Sequence, residues 1–154
     1  MPEKSVVFYG IQEEFFPIAY RLLEKMYSLK ERVLFLCDNE DEVNFYNSKL
    51  WTSVQLSFIP SGNSRTIPAE DAKFCCIWFS TKITFLNDPS CLLHNGLDIA
   101  DNSEIKKFQK IIDIFNFETI DSAKLRAQIY QKNGFTAQKL WIQDSGSWKQ
   151  ESFS

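Results

Sequence analysis

The chain has 154 residues, 24% of them charged and 44% hydrophobic, with a formal net charge of −3 at pH 7. That length suits one domain burying roughly 70% of its unfolded surface, and the slight acidity argues against wholesale wrapping of nucleic acid, which needs a basic surface. No apolar run approaches the ~20 residues needed to cross a bilayer, and Met1-Pro2-Glu3-Lys4 lacks the charged-then-apolar pattern of a secretory signal, so a soluble cytoplasmic protein is expected.

Ser5-Val6-Val7-Phe8-Tyr9-Gly10 is β-branched and aromatic and predicts a first strand ended by glycine. A helix over residues 13–29 follows, because Phe15, Ala19, Leu22, Met26 and Leu29 recur at helical spacing and form one apolar stripe. Pro17 fits such a helix only in its first turn. Val33-Leu34-Phe35-Leu36-Cys37 reads as a strand buried on both faces, reached by a right-handed crossover. Asp38 is the expected N-cap of a second helix, with Glu40, Asp41 and Glu42 at its positive start. Val43, Tyr46 and Leu50 carry it inward to an end near Trp51. Residues 57–62 predict a short extended piece stopped by Pro60 and Gly62, and residues 61–73 a polar, irregular loop.

Phe74 to Phe79 predicts a third apolar strand, followed by a second loop over 80–90. Cys91-Leu92-Leu93 is a short strand closed by Asn95-Gly96, and Asp101 or Ser103 can cap a brief helix over 104–110. Lys110 to Phe117 reads as the last central strand. Thr119 or Asp121 then opens a long helix running to about Asn133, with Gly134 at the left-handed position beyond its end. Phe135 to Ile142 is expected to be an edge strand, and residues 143–154 a polar tail containing Trp148. This alternation predicts an α/β sandwich around a mostly parallel sheet, as one domain over residues 1–142.

Little in the sequence points to chemistry. Cys37, Cys75, Cys76 and Cys91 lack CxxC spacing and His94 is the one histidine, so no metal site is expected, and Cys37, Cys75 and Cys76, which lie in apolar runs, read as small buried thiols. The turn after the first strand, Gly10-Ile11-Gln12-Glu13-Glu14, has one glycine and two carboxylates where phosphates would sit. No GxxxxGK[ST] occurs, so no nucleotide cofactor is expected. His94 has no nucleophile motif beside it and reads as an exposed turn residue; no catalytic residue is assigned.

Two features suit protein partners. Trp51 and Phe58 bracket a non-helical connection, where large aromatics serve either as satellite core or as interface anchors. The last helix carries Lys124, Arg126 and Lys132 among Ala123, Ala127, Ile129 and Tyr130, just after Phe115 and Phe117. Such a helix reads as a core helix with a solvated face, or as a site for a short acidic peptide ending in a hydrophobic residue.

Phe8-Tyr9, Arg32-Val33-Leu34, Leu50-Trp51, Ser57-Phe58-Ile59-Pro60 and Asn95-Gly96, followed by Trp141-Ile142-Gln143-Asp144, Gly146 and Trp148-Lys149, form a series in register. It resembles the chi subunits of bacterial DNA polymerase III, its last pieces being similar to the alphaproteobacterial branch. The resemblance implies a Rossmann-like three-layer sandwich with helices on both faces and no nucleotide chemistry. It implies a non-catalytic accessory subunit of the polymerase, an adaptor that links the clamp loader to the C-terminal tail of single-stranded DNA-binding protein. The tail site it implies draws on Lys124, with Phe115 near an apolar wall and Arg126, Ala127, Tyr130 and Lys132 around it. Trp51, Phe58 and Pro60 would face psi or another clamp-loader subunit, and no direct nucleic-acid or membrane partner is implied. Ala127 stands where the family usually has an aromatic, and Ser61 where a histidine is common. The rival reading is a small ligand-binding protein or enzyme on the same fold, favoured by a polar cavity containing Glu13, Glu14 or Asp38 at the strand ends. Direct binding of single-stranded DNA is a third.

Overall fold

A computed structural model describes residues 3–53 and 56–153; Met1 and Pro2 of the N-terminal motif and Ser154 of the polar tail lie outside them. In chain order the elements are β1 (Ser5–Ile11), α1 (Phe15–Ser28), β2 (Val33–Leu36), α2 (Glu40–Thr52), β3 (Ser61–Asn63), β4 (Ile77–Ser80), β5 (Cys91–Asn95), β6 (Lys110–Asn116), α3 (Ile120–Lys132), β7 (Ala137–Asp144) and β8 (Ser147–Glu151). The protein is α/β, with eight mostly parallel strands and three α-helices among the described residues. The chain divides into two compact units, residues 16–93 and residues 3–15 with 94–153.

In the unit over residues 16–93, the strand order is β3-β4-β2-β5. β2 and β3 both pair with β4 in parallel. All four residues of β2 are buried, as an apolar run covered on both faces requires. α1 buries Ile18, Ala19, Leu22, Leu23 and Met26, and Pro17 sits in its first turn. Leu29, expected on the stripe, is exposed, because the helix ends at Ser28 and Lys30 takes a left-handed φ of 60°. The amides of Lys30 and Glu31 then donate to the carbonyls of Tyr27 and Met26, closing the helix end by two reversed bonds.

Several boundaries differ from the sequence expectation, each for a local reason. The N-cap of α2 is Asn39 rather than Asp38: its side-chain oxygen accepts from the Glu42 amide at 2.9 Å, while the Glu42 carboxylate accepts from the Asp38 amide at 3.0 Å. The span read as a loop contains β3, held to α2 because Asn47 donates to Ser61 Oγ at 3.1 Å and Asn63 donates to Asn47 Oδ1 at 2.6 Å. Phe74 is exposed at the end of a 3-10 turn, Ala69–Phe74, so the apolar strand starts only at Ile77. Residues 57 and 58 lie in turns rather than in an extended piece.

In the other unit the order is β6-β1-β7-β8, with β1 parallel to β6 and to β7, and β7 antiparallel to β8. β7 is therefore interior, and the segment expected to be a polar tail forms the strand beside it. Ser145 and Gly146, with φ of 50° and 84°, make the two-residue turn between them, a geometry that matches strand twist. The short helix expected over 104–110 is a 3-10 turn, Ser103–Lys107, capped by Asn102. α3 ends as α1 does, with Gly134 at φ 97° and the Phe135 amide donating to Tyr130 O at 3.0 Å. Glycine is required at position 10 for a different reason: a Cβ there would lie 2.8 Å from Ile142 Cδ1 and 2.9 Å from Phe115 Cζ.

The cap of α2 offers a clean test of this local reading. Asn39→Ala should cost about 1 kcal/mol, seen as a lower urea midpoint at unchanged slope.

Candidate functional site

Asp113 lies in the middle of β6, in register with Phe8 of β1, and is fully buried. A carboxylate in that position is tolerable only if it is paired and hydrogen-bonded. α3 supplies both partners from one face. Arg126 Nε and Nη2 donate to the two Asp113 oxygens at 2.8 and 3.0 Å, and Tyr130 Oη donates to Oδ2 at 3.0 Å. His94 completes the group. Its Nδ1 accepts from the Leu97 amide at 2.9 Å, which leaves the proton on Nε2 to be donated to Tyr130 Oη, also at 2.9 Å. The chain of donors therefore runs from His94 through Tyr130 to Asp113.

This geometry sets the charge states. Burial lowers the His94 pKa; the Asp113 charge opposes that, and the Arg126 charge adds to it. Burial also works against the Arg126 charge, but the hydrogen bonds and negative charge of Asp113 outweigh it and hold the guanidinium above its usual value. Burial and then the Asp113 charge push the Tyr130 phenol well up. The cluster is one ion pair with two neutral hydrogen-bonding groups. His94 is thus a buried structural residue and not the exposed turn residue its sequence neighbourhood suggested.

Fixing Arg126 and Tyr130 inward fixes which face of α3 looks outward. Lys124, Ala127, Gln128, Gln131 and Lys132, together with Gln138 of β7 and Phe153, line a groove of about 380 Å³. Lys124 and Lys132 stand eight positions apart, about 12 Å along the helix at 1.5 Å per residue. Among the described residues neither lysine is held in an ion pair. Gln138 Nε2 donates to Ala127 O at 2.9 Å and to Phe135 O at 3.1 Å, tying the groove floor to α3. The Phe153 ring stands edge-on to Phe8, with centroids 5.0 Å apart and planes at 86°.

Of the residues the sequence singled out on this helix, the structure brings Lys124, Ala127 and Lys132 into the groove. Arg126 and Tyr130 are on the opposite face, committed to Asp113, and Phe115 is buried over Gly10 with its ring edge-on to Phe8. Phe153 was not anticipated, since nothing local in a polar segment shows which surface its end reaches. Elsewhere, Trp51 is 45% and Phe58 60% exposed, and Pro60 is exposed too. Trp51 Nε1 donates to Ser61 O at 3.3 Å, and Phe58 packs edge-on to Tyr27 at 5.4 Å.

The turn after β1, where open α/β sheets often hold phosphates, is already satisfied. Gln143 Oε1 accepts from the Gln12 and Glu13 amides at 2.9 and 3.2 Å. Among the described residues no three His, Cys, Asp or Glu side chains could hold a metal ion, and no helix is long and apolar enough to cross a membrane. The four cysteines are free thiols, three of them buried.

The fold and the groove define an α/β protein whose distinctive surface is a lysine-flanked groove on its last helix. The chain belongs to the DNA polymerase III chi subunit (HolC) family, whose model matches residues 4–138. That family is an accessory subunit of the polymerase and places the chain in DNA replication. Comparison with curated proteins and with solved structures gave no match.

Two measurements test the buried cluster. Asp113→Ala strands the Arg126 charge and should cost about 3–5 kcal/mol, whereas the double change Asp113→Leu with Arg126→Met should recover most of that loss in urea unfolding. The second is pH dependence. Below the ordinary imidazole value of 6.5, an unfolded chain takes up a proton at His94 that the folded chain resists. The stability contribution present above that value is therefore lost as pH falls. Stability should drop between about pH 7.5 and pH 5.5, and drop less in His94→Gln, whose amide can accept from Leu97 and donate to Tyr130.

Proposed function

We propose that this chi-family chain is an adaptor without catalytic activity of its own. It works in the cytoplasm, linking the clamp loader of the replicase to the C-terminal tail of single-stranded DNA-binding protein. The observation that supports this reading is the α3 groove, with a lysine toward either end and a floor formed by Ala127 and Phe153. An acidic peptide ending in a hydrophobic residue matches it: the lysines attract the carboxylates, and the floor takes the apolar end. Lys124 and Lys132 are assigned to this contact, together with Ala127. Phe115, Arg126 and Tyr130 act behind it, as the packing that holds α3. Trp51, Phe58 and Pro60 are assigned to the clamp-loader side, since exposed aromatics are common interface anchors. Psi or a substitute for it is the expected partner there.

The test is fluorescence anisotropy with a labelled C-terminal peptide of the same organism's single-stranded DNA-binding protein. An affinity of roughly micromolar order is expected, about −8 kcal/mol, weakening as salt is raised. Lys124→Glu and Lys132→Glu should each weaken binding about tenfold, an effect of the size of one charge-assisted hydrogen bond. Failure of the intact peptide to bind at high micromolar protein, or unchanged affinity in both variants, would overturn the proposal.

A further inference from the structure

We infer that Phe153 is a specificity-determining residue of the α3 groove, its ring taking the apolar end of the acidic peptide. This rests on the peptide-binding reading above and deepens it. The groove is lined by two lysines, three glutamines, Ala127 and Phe153. Lysine and glutamine present flexible stems rather than a fixed apolar surface. Ala127 offers a single methyl group, so discrimination in favour of a terminal hydrophobic residue falls chiefly to Phe153.

The ring is placed to provide it. After β8, a strand of mostly exposed residues, the chain returns Phe153 to the α3 side of the sheet, where the ring is half-buried. Behind it stands Phe8, which is fully buried and itself packed against Tyr130 and Phe115 with centroids at 5.8 and 6.3 Å. One edge of Phe153 is thus held by the core while the rest faces the groove. The small side chain at position 127 leaves the space opposite open. Phe153 also borders an adjoining cavity of about 230 Å³ with Gln138, Lys139, Leu140, Glu151 and Ser152. It lies beyond residue 138, where the family match ends.

The experiment compares two labelled peptides, the C-terminal peptide of the single-stranded DNA-binding protein and the same peptide without its final residue, on wild-type, Phe153→Ala and Phe153→Leu protein. Wild type should prefer the intact peptide. Phe153→Ala should bind the intact peptide about threefold to tenfold more weakly, the size of an aromatic contact, bind the truncated one as wild type does, and keep the same salt dependence. Phe153→Leu, which keeps an apolar side chain against Phe8, should retain the preference. Equal weakening for both peptides would make Phe153 a structural residue and overturn the inference. Unchanged or tighter binding of the intact peptide by Phe153→Ala would also overturn it, the tighter case marking the ring as a plug. If wild type binds neither peptide, the peptide-binding reading itself falls and this inference falls with it.

Discussion

The buried pair of Asp113 and Arg126 is the constraint on which the arrangement of α3 depends. A carboxylate in the centre of a strand among isoleucines has no water to solvate it, so the helix that covers it must deliver a cation at one position. The fork of Arg126 meets both oxygens, and Tyr130, one turn further, reaches the same carboxylate. Those contacts fix the rotation of α3 about its own axis. A purely apolar interface would tolerate small rotations; a bidentate ion pair with a hydrogen-bonded tyrosine does not. Such a pair adds little net stability against a well-packed apolar replacement, so its value here lies in register.

Once the rotation is fixed, the outer face follows. Residues 124, 127, 128, 131 and 132 turn toward the groove because residues 123, 126 and 130 turn away from it. The helix end is set just as firmly, since Gly134 lets the Phe135 amide return to the Tyr130 carbonyl. Arg126 is paired inside, while among the described residues neither Lys124 nor Lys132 on the outer face is held in an ion pair. The proposed acidic-peptide contact draws on this unpaired charge. The Gln143 amide, meanwhile, satisfies two backbone amides of the turn after β1.

Much of the fold was legible in the sequence because periodicity reports burial directly. The β2 run, the middle of the α1 stripe at Ala19, Leu22 and Met26, the start of β6 and the glycine beyond α3 all register at the residue level. What was not legible depends on contacts distant in sequence. His94 sits beside an Asn-Gly turn and reads as exposed, yet its partners are a tyrosine 36 residues away and an amide three residues on. Arg126 looks like one of three equivalent cations on a helix. The signal that separates it was present in Asp113, an acid within an apolar strand that demands a buried partner. Ser145-Gly146 is a two-residue turn, but the polar residues around it lack the apolar alternation that marks a hairpin in sequence. The site mirrors this division: Lys124, Ala127 and Lys132 come from one helix and could be grouped by spacing, whereas Phe153 arrives by the path of the chain.

The most direct measurement of the central claim is a map of amide chemical shifts in the labelled protein as the C-terminal peptide of single-stranded DNA-binding protein is titrated in. The account predicts that the largest changes fall on residues 124–132, Gln138 and Phe153, while the Trp51 indole and the Phe58 amide stay still. Changes centred on Trp51 and Phe58, with α3 unmoved, would contradict it.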